Sequence, residues 1–170
     1  MELNRGSAAG PGRVLVVADW TTDPEAVVAA CLVQHERSGA DLALLVPAWL
    51  HGLDWAGDPA ASVPCAHRQL NAIGRLADAA GITFYPAGVG DPDPVAAICD
   101  ALSDWPAGEL VLFTRWRRTG VSHPLDIAHR TRRATGLPVS HLRLGSTSHA
   151  RGETRRRRTG HCAVEQPHPA

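Results

Sequence analysis

The sequence predicts an α/β fold: a five-stranded parallel sheet with helices on both faces. Three observations carry that prediction. Five short apolar runs recur between residues 13 and 144. Four segments with apolar residues at helical spacing lie between them, so strand and helix alternate along the chain. Gly and Pro gather at the joints, where the chain must turn. Parallel strands need long crossovers, and right-handed crossovers through helices give a sheet covered on its two faces.

Each element has its own local reason. "RVLVVAD" opens with a buried strand over Arg13 to Ala18. "TTDPEAVVAACLVQHERSG" follows as a helix, with Asp23 as its cap, Pro24 at the first helical position and Gly39 as its stop. "DLALLVPA" is a second apolar strand, and "WLHGLDWAGDPAAS" is a loop. "VPCAHRQLNAIGRLADAAG" reads as a helix with Leu70, Ile73, Leu76 and Ala77 on one face and Gly81 at its end. "ITFYPA" is a third strand, with Thr83 and Tyr85 suited to an edge. "GVGDPDPVAAICDALSDW" is a Gly/Pro turn into a third helix, with Val95, Ile98 and Leu102 at helical spacing. "ELVLFT" is the fourth strand. "HPLDIAHRTRRATG" is a fourth helix, with Leu125, Ile127 and Ala128 inward and Arg130, Arg132 and Arg133 toward water. "LPVSHLRL" is a fifth strand, mixed enough to sit at an edge. Residues 1–12 read as a flexible leader, 13–144 as the domain, and 145–170 as a disordered Arg-rich tail.

A chain of 170 residues suits one domain with a core of its own. The net charge of zero hides an asymmetry. Residues 1–110 hold 14 acids and 5 Arg, a net −9, and residues 111–170 hold 3 acids and 12 Arg, a net +9. Such a division either neutralises itself within one fold or attracts an anionic partner to the basic end. The four cysteines have no C-x-x-C pair, so no disulfide framework is expected, and Cys31 and Cys99 read as small core residues. No charged-then-apolar leader opens the sequence and no apolar run reaches the roughly 20 residues a bilayer needs, which predicts a cytoplasmic protein with no membrane partner.

Certain residues carry a family resemblance. "VLVVAD", ending in Asp19, resembles the opening strand and acid of the universal stress protein family. "GVGDPDPVAAICDAL" is similar to that family's Gly-x-Pro turn before its third helix, and "GLPVSHLRL" to its closing Pro-Val strand. The resemblance spans about residues 13–144. It implies the strand order 3-2-1-4-5 and a homodimer paired through the fifth strand. It also raises ATP with Mg2+ as a ligand, because many members hold ATP through G-x2-G-x9-G-[ST] after the fourth strand. Glycines there let backbone N–H groups approach the phosphates at a helix N-terminus.

This sequence departs from that motif in both available registers. Alignment on Gly120 puts Arg117 at the first glycine, Arg130 at the third and Thr131 at the hydroxyl position. Alignment on Pro138 turns the final Gly-Ser into Leu125-Asp126, and an aspartate there repels a phosphate. In place of the glycine cradle stands "LVLFTRWRRTG", an apolar strand running into Arg115, Trp116, Arg117, Arg118 and Gly120.

The strand order implied by the resemblance brings the ends of strands one and four together at the point where a ligand crevice opens. Asp19 and Trp20 end the first strand, and Trp49 ends the second, with His51 and Trp55 close behind. The candidate binding residues are therefore Asp19, Trp20, Trp49, Arg115, Trp116, Arg117, Arg118 and Gly120. Arg offers planar donors to phosphate or carboxylate, and Trp a face for stacking. Two readings stay open: an anionic, aromatic ligand held there, or indoles that plug the crevice. Asp19 likewise either meets Mg2+ or hydrogen-bonds a base or ribose, or it caps a helix or pairs with Arg115.

Catalysis finds no motif: no G-x-S-x-G, Walker loop or H-E-x-x-H is present. His123 and His129 lie six apart, off a common helix face, and no metal site is read. Nucleic acid is not expected as a partner, despite the Arg155 to Arg158 run. The leading expectation is a binding or regulatory protein that does not take ATP in the usual way. The alternatives are an ATP-binding protein with an Arg/Trp-lined phosphate site and an interaction module for an acidic partner.

Overall fold

The structure is a computed structural model that describes residues 12–50, 59–115 and 124–144. Strands β1 (Arg13–Ala18), β2 (Asp41–Pro47), β3 (Phe84–Gly90), β4 (Glu109–Arg115) and β5 (Val139–Leu144) alternate with helices α1 (Pro24–Ser38), α2 (Val63–Ala79), α3 (Pro94–Asp104) and α4 (Pro124–Thr135). The strands form one sheet in the order β3-β2-β1-β4-β5, all pairs parallel. The α/β class, the five strands and the order all match the expectation.

The central strands explain the arrangement. Every residue of β1 after Arg13 and of β2 after Asp41 is buried, as a strand covered on both faces requires. Alternate residues serve two cores. Val14, Val16, Leu44, Val27 and Ile73 meet on the α1/α2 face. Leu15, Val17, Leu45, Ile98 and Leu112 meet on the α3/α4 face. The edge strands β3 and β5 are only partly covered, and Tyr85 on β3 is 79% exposed.

The helix boundaries follow their caps. Glu25 N donates to Asp23 Oδ1 at 3.1 Å, and α1 ends where Gly39 turns to φ 60° and donates to His35 O. Val95 N donates to Asp93 Oδ1 at 2.9 Å at the start of α3. Gly136, at φ 69°, closes α4 by donating to Arg132 O. A left-handed residue is where glycine costs least, so the stop of α1 at Gly39 was readable from sequence.

Four expectations need correction. First, β3 begins two residues later than "ITFYPA" and runs on through Gly88, Val89 and Gly90, which were read as a turn. Those residues pair with Leu45, Val46 and Pro47 of β2. Glycine is needed at Gly90 for packing: a Cβ there would lie 2.6 Å from Ala97 Cβ and 2.9 Å from Leu45 Cδ1. Second, the buried face of α2 is Cys65, Ala66, Gln69, Ile73 and Ala77, while Leu70 and Leu76 are half-buried at its flanks. Third, α3 buries Pro94, Ala97 and Ile98, with Val95 and Leu102 only half-covered. Fourth, Cys65 is disulfide-bonded, whereas Cys31 and Cys99 are free. Burial pushes the Cys31 thiol up to about 12, so it is an inert core group. Cys99 is half-buried.

No described helix is long and apolar enough to cross a membrane. The leader at 1–12 (all but Gly12) and the tail at 145–170 lie outside the described residues.

Two glycines should respond oppositely to the same change. Gly90→Ala should destabilise by about 1–3 kcal/mol, because the methyl overpacks the β3–α3 contact. Gly74→Ala, within α2 and with nothing inside 4 Å of the added carbon, should stabilise by about 0.5–1 kcal/mol. Urea denaturation midpoints of the two variants against the parent check both signs.

Candidate functional site

The carboxyl ends of β1, β2 and β4 meet where the sequence placed its candidate site. Asp19 continues β1 and is 5% exposed. Its backbone N–H donates to Phe113 O of β4 at 2.9 Å, extending the parallel pairing by one bond. Thr21 N donates to Asp19 Oδ1 at 2.9 Å. The carboxylate thus orders the β1–α1 turn, as an Asx-turn does.

That turn is tied to α2 by two buried polar residues absent from the sequence-based list. Thr22 Oγ1 donates to Asp19 O at 2.6 Å. Gln69 Nε2 donates to Thr22 O at 2.9 Å and to Thr22 Oγ1 at 3.2 Å. Ser62 Oγ, at the start of α2, donates to Ala48 O just beyond β2 at 2.6 Å. The only sequence signal was a polar Gln at a core position of an amphipathic helix. Such a residue is buried only when its amide finds partners.

Trp20 packs against the α1/α2 core and Trp49 against the α3/α4 core. They are nevertheless joined, since Trp20 Nε1 donates to Trp49 O at 2.7 Å. Beside Trp49, on the α3/α4 face of the sheet, lies a cavity of about 10 Å3 lined by Asp19, Pro94, Ile98, Leu112, Thr114 and Ile127 among others. That is room for about one water molecule.

Of the arginine loop, only Arg115 is described: it is the exposed last residue of β4, paired in register with Leu144. Trp116, Arg117, Arg118 and Gly120 lie outside the described residues, as do His51 and Trp55. The structure does discriminate between the two motif registers. Thr131, the hydroxyl position in the Gly120 register, is fully buried in the interior of α4, and its Oγ1 has no hydrogen-bond partner. It cannot reach a phosphate at a helix N-terminus. Arg130 lies 3.7 Å from Asp93, an exposed pairing of α4 with the cap of α3. The other register puts Leu125-Asp126 in the first turn of α4, which begins at Pro124. No group of three or more metal-ligating side chains occurs among the described residues.

Solved structures of the same architecture are known. A protein of the universal stress protein family from Burkholderia pseudomallei superposes with a TM-score of 0.54 at 17% identity, covering 76% of this chain and 94% of that one. The chain has the universal stress protein fold. A universal stress protein in complex with cAMP gives a TM-score of 0.51 at 19% identity, covering 78% of this chain and 98% of that one. One from Archaeoglobus fulgidus in complex with dAMP gives 0.51 at 16% identity, with the same coverage. No family model and no curated protein matches the sequence. The chain thus has the sheet order of the universal stress protein fold at low sequence identity.

A second contact missed in the sequence links the crevice to the sheet edge. Thr114, which lines the small cavity, holds its Oγ1 2.8 Å from Nε2 of His141 on β5. Burial pushes the His141 imidazole below its ordinary value of 6.5, and Arg143 and Arg132 push it the same way. The native state therefore binds the proton less well than the unfolded chain. Stability from this group is fully present above pH 6.5 and is lost as pH falls through the lowered native value. Urea midpoints should thus fall between pH 7 and pH 5, and His141→Gln, which keeps a hydrogen-bonding group without the charge, should flatten that part of the profile.

Proposed function

We propose that the chain is a non-enzymatic binding or regulatory protein of the universal stress protein fold, acting as a cytoplasmic homodimer and holding no triphosphate in a glycine cradle. The described groups at the crevice support this reading most directly: the cavity beside Asp19 and Trp49 has a volume of about 10 Å3, and Asp19 and Thr22 hydrogen-bond to backbone of the β1–α1 turn. A phosphate cradle needs glycine backbone and open donors at a helix start. The α4 start supplies Pro124, Leu125 and Asp126 instead.

The edges of the sheet favour β5 for pairing subunits. On β3, Leu42 pairs with Phe84 but Leu44 with Ala87, so Tyr85 and Pro86 bulge between them. A bulge and a proline without an N–H blunt an edge against further pairing. β5 keeps a regular register over all six residues and exposes Leu142 to 37%. Leu142→Asp should therefore convert a dimer to a monomer, read by sedimentation velocity, while leaving the helical circular dichroism unchanged.

A second reading has its own support, from the two solved neighbours that carry cAMP and dAMP. A nucleotide with one phosphate needs fewer contacts than ATP. Arg115, Arg117 and Arg118 could grip it bidentately outside the crevice, with Trp116 as a stacking face. Calorimetric titration of the full chain with ATP and Mg2+, and separately with cAMP, distinguishes the readings. The first expects no saturable heat with either. Micromolar binding abolished by joint substitution of Arg115, Arg117 and Arg118 to Ala would replace it with the second.

A further inference from the structure

The acidic half of the chain forms a groove that the arginine loop does not explain. On the α3 face, beyond the cover of α3, the sheet leaves a groove of about 480 Å3. Its floor is apolar and includes Leu15, Ala43 and Leu45 with the backbone of Gly88 and Gly90, and Trp105 lines it as well. Its rim carries Asp91, Asp100 and Asp104, all exposed. Asp100 and Asp104 stand one helical turn apart on α3, neighbours on one face. Neither has a cationic partner among the described residues. The one described cation nearby is Arg13, which lies over the Trp105 ring at 5.4 Å.

The groove is narrow in side chains for a packing reason. Gly88 and Gly90 give β3 almost no relief on this side, and α3 approaches β3 closely where Ala97 meets Gly90. An apolar floor with a carboxylate rim suits a chain whose side chains are apolar along the stem and cationic at the tip. Arg has that character, with methylenes that cover apolar surface and a guanidinium that forks onto carboxylates.

We propose that the groove is the docking site of the chain's own segment Arg151 to Arg158, which carries five of the chain's arginines. Charge complementarity is one argument: three rim carboxylates face the densest run of positive charge in the sequence, RRRR at 155–158. Reach is the other. The chain leaves β5 at Leu144, at the same carboxyl edge of the sheet that Asp91 follows. Four strand spacings separate β5 from β3, about 19 Å. The seven residues from Leu144 to Arg151 span up to about 24 Å, and the eleven to Arg155 up to about 37 Å. The segment therefore reaches the groove within one molecule. Docking there sets a segment of net charge +4 against the three rim carboxylates.

Trypsin, which cuts after arginine, reads the contact directly in the full-length protein. All digests contain reductant, so that the Cys65 disulfide plays no part in the rates. Cleavage at Arg155 to Arg158 should be slow in low salt. It should speed up by about tenfold on adding 0.5 M NaCl, as screening weakens exposed ion pairs. The combined variant Asp91→Asn, Asp100→Asn and Asp104→Asn should show the fast rate already in low salt, with an unchanged urea midpoint confirming that it is folded. Equal rates in variant and parent would overturn the proposal. Protection that rises with protein concentration would also overturn it, by making a second copy's tail the occupant. A parent rate unaffected by dilution, together with a fast variant, supports it.

Discussion

Everything in this molecule hangs on β1. It is the central strand, apolar on both faces, with β2 on one side and β4 on the other. From β1 the chain winds outward to β2 and β3, and it returns to the other side for β4 and β5. The connections after β1 and β4 therefore run to opposite faces, and a crevice must open between their carboxyl ends. In many sheets of this kind that opening is where a ligand sits. Here the described residues around it are Asp19, which orders the turn, Thr22 and Gln69, which fasten the turn to α2, and Trp49, which lines a small cavity with Asp19.

What the sequence disclosed follows the range of the interactions involved. The start and stop of α1 were readable because Asp23, Pro24 and Gly39 act within one turn of themselves. The meeting of Asp19, Trp20 and Trp49 at one edge was readable because parallel order alone places all strand ends together. β3 misled because glycine has two uses with one local appearance. In "GVG" the residues look like a turn, but Gly90 is there to let Ala97 approach. The buried face of α2 was misjudged by one position because Gln69 is polar, and only Thr22, 47 residues away, makes its burial affordable. The Thr114–His141 pair was invisible for the same reason: it joins two strands 27 positions apart.

The start of α4 carries the argument about phosphate one step further. A helix N-terminus presents unpaired N–H groups and a partial positive charge, and an anion settles there readily. In a glycine cradle the anion is the ligand. Here the first turn of α4 contains Asp126 and no glycine, so the sequence does not supply that cradle at the start of the helix. The chain keeps the sheet order of the universal stress protein fold without the glycine pattern. What the sequence offers an anion after β4 is the guanidinium groups of Arg115, Arg117 and Arg118, which bind through side chains rather than backbone.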